Sequence, residues 1–547
     1  MRAFMPQGRI IEMRHRLITA TSAIVLALAT GASAADISQD GANAIRDNLN
    51  HLLPKDIAKS QPVTVKPAGS RYEITYDFAK LLEKVKKQDF EIKGLVPFKM
   101  FATPQDSGLW NLEGNNNLNV TGHFGGQDKA RTDFTYSIAQ MDFTSVFDPA
   151  ISYLRSGDFS AKDLKISSTT DTESVNASFG DMVYKLSSAD SATAGRLDFA
   201  ANGKFSAFAE QVSGKEMPPI QISADSLDFD AKVNGIAAKD IKEMVLFVLD
   251  HADEKQLTKE SEAKLKGMLG NAFPLLSSLE ETIKLNNLAV TSAVGSGGAK
   301  SFGYHFTVDG PSNATRIGVA MDAADVTLDS ALVPAGYTAF LPQALDIQFG
   351  VPGMDFAAFA DEFMKMDFTK STDDSEKAGQ QAAEKLFPGG ILKVDFPKVS
   401  AKSSVYDVEV SGELEGRVDT QKDYKLNASI VARDYDKTIA AIQELAKTNP
   451  DLTQASFGLM MIKGFAKADP DGAQRWDVAV ASDGSVSVNG QQIKGPDAPA
   501  TEEAAPSDEA DPSDEAAPSD EATPDETAPS DDAAPSDDAT PSEETKP

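Results

Sequence analysis

Cysteine is absent from the chain, which removes disulfides, thiolate metal sites and lipid attachment through a lipobox cysteine. Core packing has to supply the stability. Histidine is scarce, and His15, His51, His123, His251 and His305 are scattered; no pair has the i, i+4 spacing that sets two imidazoles on one helical face around zinc. Long apolar runs are missing too. The run from Leu17 to Ala29 falls short of the roughly 18 residues that span a bilayer as a helix, and no later run approaches that length. Positive charge is in deficit, with 52 Lys plus Arg against 83 Asp plus Glu and a formal net charge of −31. This disfavours nucleic acid, whose binding needs a basic footprint to displace counterions, and unaided adhesion to an anionic membrane surface. No Gly-x-Ser-x-Gly elbow marks a nucleophile.

What is present falls into three materials. Residues 1–34 have the layout of a secretory signal peptide: basic Arg14 and Arg16, the apolar run, and the small-residue site Ala32, Ser33, Ala34, with cleavage expected between Ala34 and Ala35. Met13 is an alternative translation start, and an uncleaved N-terminal anchor is the rival reading of this segment. Residues 496–547 repeat near-copies of Ala-Pro-Ser-Asp-Glu and hold 18 acidic residues against Lys546 alone, a composition expected to stay disordered and extended. Between them, residues 35–495 are long enough for one elongated domain or two subdomains.

Within that region alternation dominates. Tyr72, Ile74, Tyr76 and Phe78 form one period-two run; Phe134, Tyr136 and Ile138 another; Met182, Tyr184 and Leu186 a third; Leu197, Phe199 and Ala201 a fourth. Gly114 to Asn117 and Gly122 to Gly126 read as connectors, Gly295 to Gly298 and Ser371 to Glu376 as loops, and Asp483-Gly484 as a tight hairpin turn. Helical spacing predicts a first helix using Ala44, Ile45, Leu49, Leu52 and Leu53, and an insertion from Ile236 to Leu285 that caps one end of the sheet. The fold class expected is a β-rich α+β protein: a long, curved, mainly antiparallel sheet with several short covering helices.

The stretch Leu426 to Thr448 shows the organising pattern, a strand breaking at Asp434, Tyr435 and Asp436 into a helix with Ile439, Ile442 and Leu445. Asp436 is the expected helix cap. Three looser relatives follow the same plan: Phe134 to Ile138 leading past Asp142 to Phe147, Ile151 and Leu154; Ile220 and Ile222 leading to Ile241, Val245 and Val248; and Leu345 to Phe349 leading past Asp355 to Phe356, Phe359, Phe363 and Met364. Their uneven spacing excludes a fixed-period solenoid.

No catalytic, cofactor or metal residues emerge. Gly295 to Ser301 lacks the spacer and the glycine before lysine that a phosphate loop needs. Asp469 to Gly472 holds too few acidic ligands for a calcium loop and reads as a turn. Adjacent carboxylates such as Asp361 and Glu362 do not face each other across a cleft. Phe356, Phe359 and Phe363 are the candidate aromatics for an apolar groove, with core packing as the alternative; Tyr72, Tyr76 and Tyr136 pose the same choice.

Tyr72 to Phe78, Phe101 to Trp110, Ala432 to Ile442 and Trp476 to Gly490 carry a resemblance to an uncharacterised family of secreted alphaproteobacterial envelope proteins, covering nearly all of residues 35–495. More distantly, long alternating strands with intervening helices resemble the AsmA-like repeating-β-groove envelope proteins. These resemblances imply location and shape, and a concave sheet that shelters lipid chains; no catalytic residue carries over. The expectation is a non-enzymatic periplasmic or secreted protein that holds a lipid or another apolar envelope component, or binds an envelope protein. The rivals are an envelope hydrolase assembled from distant residues, and a structural spacer whose acidic tail contacts cationic partners.

Overall fold

The computed structural model describes residues 37–51, 53, 55–82, 90–125, 131–215, 217–251, 257–367, 379–418 and 423–497. The signal segment with Ala34 and Ala35, the 371–376 loop and the tail beyond residue 497 lie outside the described residues.

Among the described residues, twenty-two strands join in one open antiparallel sheet. The first five are β1 (Val63–Ala68), β2 (Arg71–Tyr76), β3 (Phe90–Lys93), β4 (Phe98–Pro104) and β5 (Trp110–Phe124). Five long strands follow, β6 (Thr132–Asp148), β7 (Tyr153–Thr169), β8 (Glu173–Asp190), β9 (Leu197–Gly214) and β10 (Ile220–Ile236). After a helical pair come β11 (Ser278–Ser292), β12 (Gly295–Asp309), β13 (Thr315–Ala324), β14 (Thr327–Ser330) and β15 (Ala344–Met354). The series closes with β16 (Ile391–Lys402), β17 (Asp407–Arg417), β18 (Tyr424–Arg433), β19 (Lys467–Ala468), β20 (Gln474–Val480), β21 (Val486–Val488) and β22 (Gln491–Lys494). Pairing is a meander in which most strands lie beside their sequence neighbours. β3, β14 and β19 are short side branches, on the far half of β5, the early half of β12 and the early end of β20. A meander needs only hairpins between long alternating runs, which is what the sequence pattern supplies.

Several expected connectors are strand instead. Gly114 and Gly122 lie inside β5, and Gly295 to Gly298 open β12. Glycine is needed there for approach, since a Cβ on Gly298 would meet the Leu288 carbonyl oxygen at 2.2 Å and one on Gly122 the Glu91 carbonyl oxygen at 2.0 Å. The Asp483-Gly484 hairpin forms as expected, with Gly484 at φ +77°, but β22 continues beyond it.

Three of the four strand-to-helix junctions exist. β10 runs into the helix Ala238–His251, β15 into Phe356–Phe363, and β18 into Tyr435–Ala446. The fourth is a hairpin: Phe147, next to the last residue of β6, pairs with Leu154 of β7, so the helical spacing of Phe147, Ile151 and Leu154 arises from the two sides of a turn. Asp355 caps its helix, accepting from the Ala358 amide at 2.8 Å. Asp436 does not cap: Asp434 stands at the N-cap in a left-handed conformation without a side-chain cap bond, and the Asp436 carboxylate pairs with Lys463 of the next helix. The predicted insertion is the helices Ala238–His251 and Lys259–Ala272, and by Ser278 the chain is strand again. Arg196 holds this pair to the sheet, donating to the carbonyls of Gly235, Ala272, Phe273 and Pro274.

One end of the sheet is sealed. Ala42, Ile45 and Leu49 of the helix Gln39–His51 pack on Val63, Val65, Tyr72, Ile74 and Tyr76, and the cluster extends through Met100, Trp110, Leu112, Phe147 and Leu154. Ala44, expected inside, is exposed. Tyr72 and Tyr76 are core residues, and Tyr136 is half-buried.

Candidate functional site

The register of the meander brings apolar residues that are distant in sequence into one line. Gly114, Phe143, Phe159, Tyr184, Gly203 and Phe229 are successive cross-strand partners from β5 to β10. The line continues through Ile283, Tyr304, Met321 and Ile347, then through Val399, Val410 and Ile430 to Trp476 of β20. Two residues along each strand runs a parallel line that includes Met141, Ala161, Met182, Phe205, Leu227 and Leu285. Side chains alternate across a strand, so both lines share one face. One residue along, the line on the opposite face includes Ser160, Lys204, Asp228, Lys284, Asp322 and Asp346.

The aromatic rings lean together over the glycines. Phe98 of β4 and Phe143 of β6 stack at 6.0 Å between centroids with their planes 8° apart. Their strands flank β5 and so lie about 9.6 Å apart, twice the usual strand spacing, and the rings close that gap over Gly114. A Cβ on Gly114 would meet the Phe143 ring at 2.4 Å. Phe143 then stacks on Phe159 at 6.1 Å, Phe159 meets Tyr184 at 5.8 Å, and Tyr184 reaches Phe229 at 6.4 Å across Gly203.

Beside this ladder lies an open groove of about 380 Å³. Phe98, Met100 and Leu112 border it on the sealed side; Ile138, Met141 and Leu154 form its middle; Ala161, Met182, Tyr184 and Phe205 line the far side. Asp142, the carboxylate among the lining residues, accepts hydrogen bonds from Asn115 and Gln140. Burial pushes the Tyr184 hydroxyl above its ordinary pKa, so it stays neutral. Met100, Leu112 and Leu154 also belong to the sealed core, which makes the groove a continuation of that core past the edge of its helical cover. Further along, Phe302 is 37 % exposed, Met321 39 % and Phe349 44 %.

The aromatics expected to line a groove lie elsewhere. Phe356, Phe359 and Phe363 pack on one another along their helix, with centroids 6.4 and 5.9 Å apart, each half-buried, and none of them lines the 380 Å³ cavity. Phe98, Phe143, Phe159 and Phe205 were not singled out by the sequence pattern. Their signal was available in principle: hairpin register, propagated from turn to turn, sets Phe143, Phe159 and Tyr184 side by side.

Three hydroxyl–base contacts are also assembled by the fold. Ser152, buried at the β6–β7 turn with φ +54°, accepts from Lys242 at 2.7 Å and lies 3.3 Å from the Pro149 carbonyl. Burial lowers the Lys242 pKa. Ser261 lies 3.2 Å from Nε2 of His251, whose Nδ1 faces the Phe247 carbonyl at 2.8 Å. On the polar face His305 bridges Thr282 at 3.0 Å and Asp322 at 3.3 Å. The first ties the helix Ala238–His251 to the sheet, the second joins the two helices of the pair, and the third crosses three strands. None of their hydroxyls or bases lines the groove. Asp469 to Gly472 forms a turn, with the Asp469 carboxylate held by Arg475 well below its ordinary pKa. Among the described residues no group of three or more His, Cys, Asp or Glu is placed to hold a metal ion, and no helix is long and apolar enough to cross a membrane.

Comparison of the chain with protein-family models, with curated proteins and with solved structures finds no match to any of them.

Proposed function

We propose that this is a non-enzymatic binding or scaffold protein of the bacterial cell envelope, periplasmic or secreted, which holds a lipid or another apolar envelope component against the apolar face of its sheet. The open groove between β4 and β9 carries the reading. Its volume of about 380 Å³ lies within the range of roughly 300–1,000 Å³ typical of small-molecule sites, and its lining is mainly aliphatic and aromatic, with Asp142, Ser145 and Ser160 as the polar members. Ten methylenes withdrawn from water at ~0.8 kcal/mol each contribute a gross ~8 kcal/mol, the scale of a micromolar complex before ordering costs are subtracted. The signal-like segment at residues 1–34 supports export. The resemblance to repeating-β-groove envelope proteins supports the architecture, which on its own does not set a function.

The test is ligand capture by the full mature chain. Native mass spectrometry with solvent extraction should find a co-purifying lipid, and a fluorescent fatty acid should bind with its emission enhanced. Ala161→Trp, which fills the groove, should weaken that binding about tenfold or more while costing at most ~1–3 kcal/mol of stability, so that the variant still melts cooperatively. A lipid-free protein that ignores the probe, or one whose Ala161→Trp variant binds as tightly, would refute the groove as a binding site.

A further inference from the structure

The strand ladder is interrupted along a line that crosses the long strands. Asn116 and Leu118 of β5 pair with Met141 and Ile138 of β6, so Asn117 faces two residues, Ala139 and Gln140. From there the skipped positions oppose one another strand by strand: Ala139 and Asp163, then Asp163 and Gly180, then residues 179–181 and 206–208. Asp225 follows opposite Ala207, and Lys300 opposite Asn287. The line ends at Asp325, between β13 and β14. Asp163, Ala207, Asn287 and Asp325, on alternate strands, are left-handed, with φ of +52°, +51°, +53° and +50°. A residue that drops out of the ladder in this way bends its strand, as at a β-bulge. Repeated from each strand to the next, it makes a crease.

The crease changes which residues share a face. Regular alternation sets residues three apart on opposite faces, yet Ile138 and Met141 both line the groove. The Phe179 ring likewise meets both Phe205 and Phe208, with centroids 6.0 and 5.0 Å away. Polar side chains bridge the interrupted ladder. The Ser206 hydroxyl donates to the Asp181 carbonyl at 2.9 Å and accepts from the Asp181 amide at 3.1 Å, Asn287 donates to Asp225 at 2.6 Å, and Lys300 pairs with Asp325 at 3.7 Å.

We propose that Asp163 and Ala207 are positioning residues of the apolar face, acting through backbone conformation alone: by turning left-handed they keep the apolar residues of both halves of their strands on one side and so hold the walls of the groove together. Both side chains are exposed and neither lines the groove, so neither acts by contact. Aspartate takes the left-handed region more readily than most residues, whereas alanine has no such preference, which makes Ala207 the position where relief of the backbone is measurable. The effect on binding rests on the groove as a ligand site; the assignment of faces does not.

Substitution at these two positions sets the crease against the behaviour of an ordinary strand. At an exposed position in a regular strand valine is favoured and glycine disfavoured; at a left-handed position the order reverses. The pair Asp163→Gly with Ala207→Gly should therefore melt at or above the wild-type temperature and bind the fluorescent fatty acid as wild type does. The pair Asp163→Val with Ala207→Val should melt lower and bind about tenfold or more weakly, because its supporting backbone no longer holds the walls in place. The chain has no cysteine, so one introduced thiol reports its face in the absence of any ligand. Phe208→Cys, half-buried on the apolar side, should react with a maleimide about tenfold more slowly than Ala209→Cys, which is exposed on the other, and the valine pair should narrow that contrast. The proposal is overturned if the valine pair melts at or above the glycine pair, or if it keeps both the thiol contrast and wild-type binding. A wild-type chain that ignores the probe while showing the expected melting order and thiol contrast supports the crease and refutes the ligand site alone. If the valine pair does not fold, Ala207→Val against Ala207→Gly makes the same comparison, with the same outcomes deciding it.

Discussion

Two regions of the apolar face use the same kind of strand and meet different fates. At β1 to β6 the alternating residues are sealed: Ile74 and Phe147 are fully buried, and Tyr72 and Trp110 nearly so, under the helix Gln39–His51. From β12 to β15 the same alternation leaves Phe302, Met321 and Phe349 more than a third exposed. The difference teaches that period-two patterning makes a sheet amphipathic without deciding whether its apolar face becomes a core or a surface. The groove lies at the border, where the cover ends and the aromatic ladder goes on.

Truncation is the sharpest way to break this contrast. Phe147→Ala should cost ~3–5 kcal/mol by leaving a cavity in the sealed cluster, whereas Phe349→Ala on the open part should stay within about 1 kcal/mol. Denaturant melts of the two variants measure both, and equal losses would mean that the open face is packed as tightly as the sealed one. Next in size is Gly114→Val at the border. The added atoms collide with the Phe143 ring, so a loss of ~1–3 kcal/mol should come with weaker binding of the fluorescent fatty acid; a stable variant with an unchanged groove would remove the reason given for that glycine. The smallest effects lie at the helix starts. Asp355→Ala should cost ~1 kcal/mol through the lost cap, and Asp436→Ala, which loses only an exposed ion pair, within about 0.5 kcal/mol. Thermal melts that reverse this order would restore Asp436 as the cap.

Much of the fold was legible along the chain. The β-rich class, the alternating runs at Tyr72, Phe134, Met182 and Leu197, the Asp-Gly hairpin and three of four strand-to-helix junctions follow from local periodicity and turn chemistry. The misreadings share a cause. Gly114 and Gly122 look like connectors because glycine usually breaks strands, yet here it makes room for a ring or a carbonyl on the adjacent strand, Phe143 for Gly114 and Glu91 for Gly122. Phe147, Ile151 and Leu154 imitate a helical period because a tight turn returns the chain at nearly that spacing. Asp436 has the composition of a cap, but the chain turns at Asp434 through a left-handed conformation, which leaves Asp436 inside the first turn and free to reach Lys463.

The candidate site was less legible than the fold. Aromatic density drew attention to Phe356, Phe359 and Phe363, which form a local stack. The groove takes between one and five residues from each of six strands, β4 to β9, and no short window of sequence contains them together.

By itself the sequence determined an amphipathic antiparallel sheet, because side chains alternate and hairpin turns set the register from each strand to the next. Only the tertiary structure decided which part of the apolar face is covered. The helix Gln39–His51 covers not only its neighbours β1 and β2 but a cluster reaching Trp110, Phe147 and Leu154, and such packing depends on shape and reach between residues distant along the chain, which local periodicity does not encode.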